Sequence, residues 1–300
     1  MSPAGEAQHR APPPPAAGRA QRSLANFLDT LRIVRARFAR RPARYPRLPW
    51  AAWITLVVLL TVLSAALLDR EAARLVGWLP ASLRAGANVF TLLGLGQWYL
   101  LPPAAWLLVA NQIDWRSLPR RRLMAAYDRT SLALFVLAAV GLPGIAANVA
   151  KIFVGRARPT LFAELGAFSF HPFEATYRYA SFPSGHATTM GAVAAVLALL
   201  FPRARSAWLA ACMWIATTRI FVGAHYPSDT VAGFGLGFGL AVLTALVFAR
   251  LGFLFRQVPA GLPVLRPSLR GRGGQLPSPA AYFSRFGRGS ASSPASRRSR

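Results

Sequence analysis

The chain has 300 residues, of which 54% are hydrophobic and only 15% are charged, and its mean hydropathy is positive. This composition excludes an ordinary soluble domain and is typical of an integral membrane protein. The net charge of +26 does not indicate nucleic-acid binding, because the arginines lie in the tails and in short loops beside apolar segments, as in membrane anchoring to anionic lipid. The single cysteine, Cys212, allows no internal disulfide.

The N-terminal region is basic and changes character near residue 23. Residues 1–22 are rich in Pro, Ala and Arg, and we expect them to be disordered, with no cleavable signal peptide. In residues 23–48, apolar residues recur at helical spacing between Arg32, Arg35 and Arg37. This pattern predicts a basic amphipathic helix that either lies on the membrane surface or packs on the core domain.

Residues 49–256 contain six apolar segments, which predict an all-α, polytopic membrane bundle with six transmembrane helices. A crossing helix needs about 20 apolar residues, or as few as ~17, and the fourth and fifth segments are at this short end. Pro102-Pro103 predicts a kink in the second segment. Residues 257–300 lack periodicity and predict a basic disordered tail. The six segments are Trp50–Leu68, Ala87–Ala110, Ser131–Val149, His186–Phe201, Ala207–Val222 and Val231–Phe248.

The distribution of basic residues predicts the orientation of this bundle. With the N-terminus inside, 27 of the 35 Lys and Arg residues lie on the cytoplasmic side and 8 on the outer side. Cytoplasmic loops carry the excess of basic residues, so both termini are expected in the cytoplasm. Three polar runs at the ends of the apolar segments then all fall on the outer face, which predicts that they form one site.

The first polar run contains Lys151, the only lysine of the chain, and Arg158-Pro159. If the third helix continues outward for two turns, Lys151 and Arg158 lie on one helical face, and Pro159 ends the helix. Two such cations can bind the oxygens of a phosphate. The alternative is a solvated or snorkelling helix end. Arg156 is interpreted as a solvated residue without a role.

The second polar run is Pro183-Ser184-Gly185-His186, at the start of the fourth apolar segment. Ser184 is expected to be the N-cap residue, and the N–H groups of a helix start bind phosphate readily. Gly185 lets the backbone approach a ligand closely. His186 would lie at the edge of the same pocket. The alternative is a plain cap with an interfacial histidine.

The third polar run consists of Arg219, His225 and Asp229, with Pro227 suited to the first turn of the sixth helix. Asp229 is expected to contact one ring nitrogen of His225, which would fix the tautomer and leave the other nitrogen free to attack phosphorus. A structural His–Asp pair is the alternative. The presence of Arg219 and of the two other runs on the same face favours catalysis.

Together, the three runs resemble the signatures of the type-2 phosphatidic acid phosphatase superfamily, which includes the vanadium haloperoxidases. The resemblance spans residues 151–229, and the six-helix plan is similar to the membrane branch of the family. One position departs from the pattern, because Thr218 replaces the usual serine. The matching residues are Lys151…Arg158-Pro159, Pro183–His186 and Thr218-Arg219…His225…Asp229.

The resemblance implies a role for each matching residue. His225 would be the nucleophile that forms a phosphohistidine, Asp229 would orient it, and His186 would be the general acid and then the base. No metal or other cofactor is implied. The phosphoryl oxygens would be held by Lys151, Arg158, Ser184, Gly185 and Arg219.

The expected activity is hydrolysis of a terminal phosphate on a membrane lipid. Phosphatidate, phosphatidylglycerol phosphate, a polyprenyl diphosphate and a lipid A type glycolipid all present such a phosphate. Phosphotransfer to an acceptor alcohol, vanadate-dependent peroxidase chemistry, and a non-catalytic anion or lipid transporter or scaffold are the alternatives. The Ala, Arg and Pro content suggests a GC-rich bacterial genome, hence the inner membrane with a periplasmic site. No nucleic-acid partner is expected, and the sequence does not indicate an oligomeric state.

Overall fold

The structure is a computed structural model, and it describes residues 18–40, 48–258 and 261–266. Most of the two predicted tails, residues 1–22 and 257–300, lies outside these described residues. Two tail boundaries differ from the prediction. The first helix already begins at Arg19, and Val264–Leu265 pairs with Phe255–Arg256 as a short antiparallel ribbon, β2 with β1, in which Leu265 is buried.

The described residues are mostly helical, as predicted. Short 3-10 turns at Leu92–Gly94, Pro159–Leu161, Tyr177–Tyr179 and Pro202–Ala204 connect some of the helices. The α-helices are α1 (Arg19–Arg40), α2 (Trp50–Leu67), α3 (Asp69–Val76), α4 (Ala81–Thr91), α5 (Gln97–Asn111), α6 (Arg120–Val154), α7 (Phe162–Leu165), α8 (Gly185–Leu200), α9 (Arg205–Phe221) and α10 (Pro227–Leu251).

Every predicted apolar segment contains a helix, although the count of six spans is not confirmed. By length and composition, four helical segments of the described chain can cross a membrane: α2, the stretch Ala81–Asn111, α6 and α10. The helices α8 and α9 have 16 and 17 residues. In the second segment α5 runs through Pro102-Pro103, and the break between helices lies upstream, at the 3-10 turn Leu92–Gly94.

Small residues place α8 at the centre of the bundle. Most of its residues are buried, against α6, α9 and α10, whereas α2 has no buried residue. Gly191 of α8 lies so close to α10 that a Cβ atom there would overlap the Phe234 carbonyl group. Because lipid gives no hydrophobic drive for helix association, such close backbone packing is what holds membrane helices together.

The helix α1 lies along the bundle without a buried residue of its own. Asn26 donates to the carbonyl oxygens of Asn111 and Ile113 at 2.8 and 3.0 Å, and Arg37 donates to the Tyr127 hydroxyl at 2.9 Å. Its large apolar residues stay exposed. Polar contacts and the partly buried Val34 therefore attach α1 to the bundle, while the larger apolar side chains of this helix remain at the surface. The exposed apolar residues are Leu24, Phe27, Leu28, Leu31, Ile33 and Phe38.

Candidate active site

One end of the bundle collects the three polar runs. Lys151 lies in the last turn of α6, His186 in the first turn of α8, and Arg219 in the last turn of α9. His225 lies in the loop before α10, and Asp229 in the first turn of that helix. The structure therefore brings together residues that are up to 78 positions apart in the chain.

The backbone of the first run between Lys151 and Arg158 differs from the prediction. The helix α6 ends at Val154, and the prediction of two further helical turns is wrong. Gly155 has a φ of 57°, and a Cβ atom there would overlap the His171 carbonyl group, so this glycine ends the helix. Arg158 follows in extended conformation, with a φ of −76° and a ψ of 160°.

Backbone carbonyl groups orient the buried Arg158 side chain. Its Nε donates to Tyr177 O at 2.8 Å, and its terminal nitrogens donate to Ala224 O at 3.0 Å and Ala180 O at 3.2 Å. The Tyr177 ring covers the guanidinium at 3.9 Å. One terminal nitrogen lies 3.4 Å from Nε2 of His225. Arg158 is thus a fixed cation against the ring of His225.

The orientation of His225 follows from its two ring nitrogens. Nδ1 lies 2.8 Å from the backbone carbonyl oxygen of Ser181, which can only accept, so we assign the proton to Nδ1. Nε2 then carries a lone pair and faces Arg158. The Asp229 carboxylate is 3.7 Å from Nδ1, so the expected direct bond between Asp229 and the ring is replaced by the Ser181 carbonyl.

His225 is buried with 3% of its surface exposed, and burial lowers its pKa to about 4. The Asp229 carboxylate opposes this shift, whereas the guanidiniums of Arg158 and Arg219 add to it. A neutral imidazole at pH 7 has the lone pair that a nucleophile requires.

The Asp229 carboxylate is fully buried and accepts hydrogen bonds on both oxygens. Oδ2 accepts from the Ser181 hydroxyl at 2.6 Å and from the Tyr226 N–H at 3.0 Å. Oδ1 accepts from Arg156 at 2.6 Å, and Arg156 also donates to Asp69 at 2.8 Å. The interpretation of Arg156 as a solvated residue is wrong, since only 3% of it is exposed.

Sequence reasoning missed three of these residues, namely Asp69, Arg156 and Ser181. Signals for two of them were present. Asp69 is an acidic residue directly after an apolar segment in a chain with only nine Asp and Glu, and Arg156 lies within the first polar run. Ser181 precedes the second run and carries no pattern of its own.

The second run forms the start of α8. The Ser184 hydroxyl accepts from the Ala187 N–H at 3.5 Å, which confirms Ser184 as the N-cap residue. A Cβ atom on Gly185 would lie 3.2 Å from Nζ of Lys151, so this ammonium group sits over the helix N-terminus. A lysine cation and free N–H groups at one helix start suit a phosphate.

The turn between α4 and α5 forms a wall of the site that sequence reasoning did not identify. A Cβ atom on Gly94 would lie 3.0 Å from Cδ2 of His186, and Arg219 donates to the Thr91 hydroxyl at 3.1 Å. Trp98 and Tyr99 hold the turn by donating to the carbonyl oxygens of Leu92 and Leu93, respectively.

The hydroxyl of Thr218 donates to the Ile215 carbonyl oxygen of its own helix at 2.6 Å. The hydroxyl of the residue that replaces the usual serine is therefore engaged within α9. Among the described residues, no group of three or more His, Cys, Asp or Glu side chains is placed to hold a metal ion.

An apolar groove of about 780 Å³ begins beside this site. It lies between α2 and α10, and its lining includes Ala150, Phe182 and Pro183, which are chain neighbours of Lys151 and Ser184. The other lining residues include Trp53 and Val57 of α2 and Ala232, Leu236 and Leu240 of α10.

Two curated proteins that are similar to this chain carry the same name. The chain is 47% identical over 139 residues to a lipid A 1-phosphatase of Rhizobium johnstonii, and 47% identical over 135 residues to a lipid A 1-phosphatase of Rhizobium etli. These matches cover 46% and 45% of this chain and 57% and 58% of the relatives, so the chain spans less than two thirds of the length of either protein.

A solved structure, the transmembrane PAP2 type phosphatidylglycerolphosphate phosphatase from Bacillus subtilis, is also similar, with a TM-score of 0.38 and 19% identity. That similarity covers 74% of this chain and 94% of the solved one. The family model described as the PAP2 superfamily matches residues 132–253, a range that contains all three polar runs. Residues 132–253 of this chain are thus similar to the PAP2 superfamily.

Proposed function

We propose that this protein is a membrane phosphatase that removes a terminal phosphate from a lipid through a phosphohistidine at His225, without a metal ion. The observation that carries the proposal is the orientation of His225. Its Nδ1–H is fixed by the Ser181 carbonyl group, so the lone pair of Nε2 points to the side where Arg158 would hold a phosphate.

In the first step, Nε2 of His225 attacks phosphorus and the bond between phosphorus and the lipid oxygen breaks. The electron pair of that bond stays on the lipid oxygen, which takes a proton from the His186 imidazolium. The products are the lipid alcohol, a phosphorylated His225 with its proton still on Nδ1, and a neutral His186. The incoming phosphate brings the negative charge that an imidazolium needs beside three cations.

In the second step, neutral His186 takes a proton from water while the water oxygen attacks phosphorus. The bond between phosphorus and Nε2 breaks, and its electron pair returns to His225. Inorganic phosphate leaves, and His186 is again protonated. The same histidine is therefore acid in one step and base in the other, as microscopic reversibility requires for equivalent oxygens.

Charge stabilisation of the transferring phosphoryl group would come from the cations around it. Lys151, Arg158 and Arg219 lie close enough to His186 to act on its charge. With the N–H groups at the start of α8, they would bind the equatorial oxygens, whose charge is spread in the transition state.

The apolar groove supports a lipid as the substrate rather than a soluble phosphate ester. Between Trp50 and Val62 the groove follows α2 for about 18 Å, taking the rise of a helix as 1.5 Å per residue. It starts next to the phosphate cradle and is lined almost wholly by apolar side chains. An acyl chain is the occupant that fits an apolar groove facing the bilayer while the phosphate lies in the site.

The name of the two rhizobial relatives makes lipid A the first lipid to test, with removal of its 1-phosphate as the reaction. The distribution of basic residues supports placement in a bacterial inner membrane with both termini in the cytoplasm and the site in the periplasm. The exposed apolar side of α1 would then lie in the cytoplasmic surface of that membrane.

The test is phosphate release by the protein purified in detergent, from lipid A and from phosphatidate, with and without EDTA. We expect release from lipid A that EDTA does not change. His225→Ala should abolish release, whereas His171→Ala should keep it, because His171 is half exposed and contacts Ser169 and Glu174 instead of the site. Quenching a reaction with 32P-labelled lipid should trap an acid-labile label on the protein that His225→Ala lacks.

Three results would contradict the proposal: no phosphate release from either lipid, loss of release with EDTA, or full activity of a folded His225→Ala variant. Adding an alcohol acceptor separates hydrolysis from phosphotransfer, because a phosphorylated acceptor in place of inorganic phosphate would show that water is not the second substrate.

A further inference from the structure

Three charged side chains form a buried cluster next to the candidate nucleophile. We call Asp69, Arg156 and Asp229 the buried charge cluster. Arg156 lies between the carboxylates and donates to Asp229 at 2.6 Å and to Asp69 at 2.8 Å. Exposed fractions are 3% for Arg156 and 0% for both aspartates, so water does not screen these charges.

Asp69 also binds the first turn of α10, the helix that carries Asp229. Its Oδ1 accepts from the Ser228 N–H at 3.0 Å, and its Oδ2 accepts from the Ser228 hydroxyl at 2.6 Å. The Ser228 hydroxyl lies 2.7 Å from Arg156 as well. Asp69 comes from the start of α3, far from the three polar runs in sequence, and yet it binds both Arg156, a partner of the Asp229 carboxylate, and Ser228, the residue before Asp229.

The charges of the cluster do not cancel. Two carboxylates and one guanidinium leave one negative charge, and the oxygen of Asp229 that does not bind Arg156 is the one that lies 3.7 Å from Nδ1 of His225. Without Asp69, the guanidinium and Asp229 alone would be neutral as a pair. The other charged or titratable groups facing His225 are Arg158, Arg219 and His186, which are cationic or neutral.

This charge matters because His225 becomes a cation in the reaction. When Nε2 binds phosphorus while Nδ1 keeps its proton, the ring carries a positive charge close to Arg158 and Arg219. A negative charge on the Nδ1 side stabilises that ring in the transition state and in the phosphohistidine.

We propose that Asp69 is a positioning residue of the reaction: it neutralises Arg156 and thereby leaves the charge of Asp229 available to the His225 ring. This inference rests on the proposed function for its catalytic part. A merely structural ion pair would instead contribute to folding and leave the chemistry of His225 unchanged.

Variants that change the charge of the cluster separate the two roles. Asp69→Asn makes the cluster neutral while keeping an acceptor for Ser228. Arg156→Gln gives it two negative charges, and the double variant returns it to one. Glu71→Gln is the matched control, because Glu71 lies in the same helix as Asp69 and pairs with Arg74 at 2.7 Å on the exposed surface.

We expect Asp69→Asn to lower kcat roughly 10- to 100-fold with little change in KM, the range typical of groups that orient a ligating or reacting side chain. Arg156→Gln should move the acid limb of kcat/KM upward by about one pH unit, because the extra negative charge favours a protonated His225. The double variant should return this limb to the wild-type position, and Glu71→Gln should match the wild type throughout.

The proposal is overturned if Asp69→Asn keeps its kcat, or if Arg156→Gln leaves the acid limb in place, or if the double variant is worse than either single one and its limb stays shifted. Thermal unfolding in detergent identifies variants that fail to fold. The two single variants change the charge of the cluster in opposite directions, so the proposal can be tested even if only one of them folds. NMR titration of the His225 imidazole follows the same charge changes without turnover. If the wild type releases no phosphate, the proposed function fails, while the titration still tests the charge coupling.

Discussion

Arg158 and His225 face each other at 3.4 Å, and the direction of the interaction is fixed by what each can do. A guanidinium can only donate, and Nε2 of His225 is left as an acceptor once Nδ1 donates to Ser181. A phosphate bound to Arg158 would therefore lie beside the Nε2 lone pair that is proposed to attack it. The contact between Arg158 and His225 would thus determine both where the phosphate binds and how His225 approaches phosphorus.

The first prediction concerns Arg158→Lys, which keeps the positive charge and removes the fork of donors. We expect kcat to fall by about 10²–10³, the cost typical of losing one positioned donor to the transition state. Lysine cannot bind the three carbonyl groups and the phosphate together. Steady-state kinetics with the lipid substrate measure the loss, and Arg178→Lys, at an exposed arginine paired with Glu164 at 4.0 Å, is the control that should keep wild-type rates.

A second prediction follows from the lowered pKa of His225, about 4. The unfolded chain binds a proton at this residue below about pH 6.5, whereas the folded protein does so only near pH 4. Folding stability therefore falls as the pH is lowered through this window. Urea unfolding in detergent at several pH values should show this slope in the wild type and a smaller one in His225→Gln, and equal slopes would contradict the burial of a neutral imidazole.

The third prediction tests the wall formed by the turn between α4 and α5. Gly94→Ala places a methyl group 3.0 Å from Cδ2 and 3.3 Å from Cβ of His186, so the ring must move. We expect a lower kcat for lipid substrates and a much smaller loss for an aryl phosphate, whose leaving group needs no general acid. Gly86→Ala in α4 is the control, since no atom lies within 4 Å of its added Cβ, and it should leave both rates unchanged.

A fourth prediction addresses the apolar groove. Ala232→Phe fills the groove one turn below Asp229, so activity on long-chain lipid phosphates should fall while hydrolysis of a short, soluble phosphate ester persists. Ala211→Phe adds the same ring at an exposed position of α9 and should affect neither substrate. Equal losses on both substrates would argue that the groove does not hold the acyl chain.

The fifth prediction concerns the packing of α8 on α10. Gly191→Ala drives a methyl group into the Phe234 carbonyl group and should destabilise the fold by about 1–3 kcal/mol or more, the usual cost of overpacking. Gly144→Ala in α6 has open space around its Cβ and should be neutral. Thermal unfolding of both variants in one detergent compares them directly.

Apolar length was sufficient to predict a mostly helical membrane protein, and the distribution of basic residues was sufficient to predict that the polar runs lie together. Apolar length identifies the membrane-length helices, and Ser184 and Pro227 mark the starts of α8 and α10, where the structure has them. These features are local, because a helix start depends on a few adjacent residues.

Contacts between distant residues were beyond that reasoning. The residues next to Asp69 in sequence give no sign of its contact with Arg156. The two residues are 87 positions apart in the chain, and their side chains are 2.8 Å apart. The end of α6 was misjudged for a related reason. Gly155 ends the helix in a left-handed conformation, and the His171 carbonyl group leaves no room there for a side chain, a constraint that proline spacing alone does not reveal.

The burial of α8 has a consequence for which parts of the protein can change in sequence. Most residues of α8, the helix that carries His186, are buried, whereas α2 has no buried residue and Leu92 and Leu93 before α5 are exposed. Redesign of the proposed lipid specificity should therefore begin at these exposed elements, where side chains can be exchanged without disturbing the buried helix that holds His186.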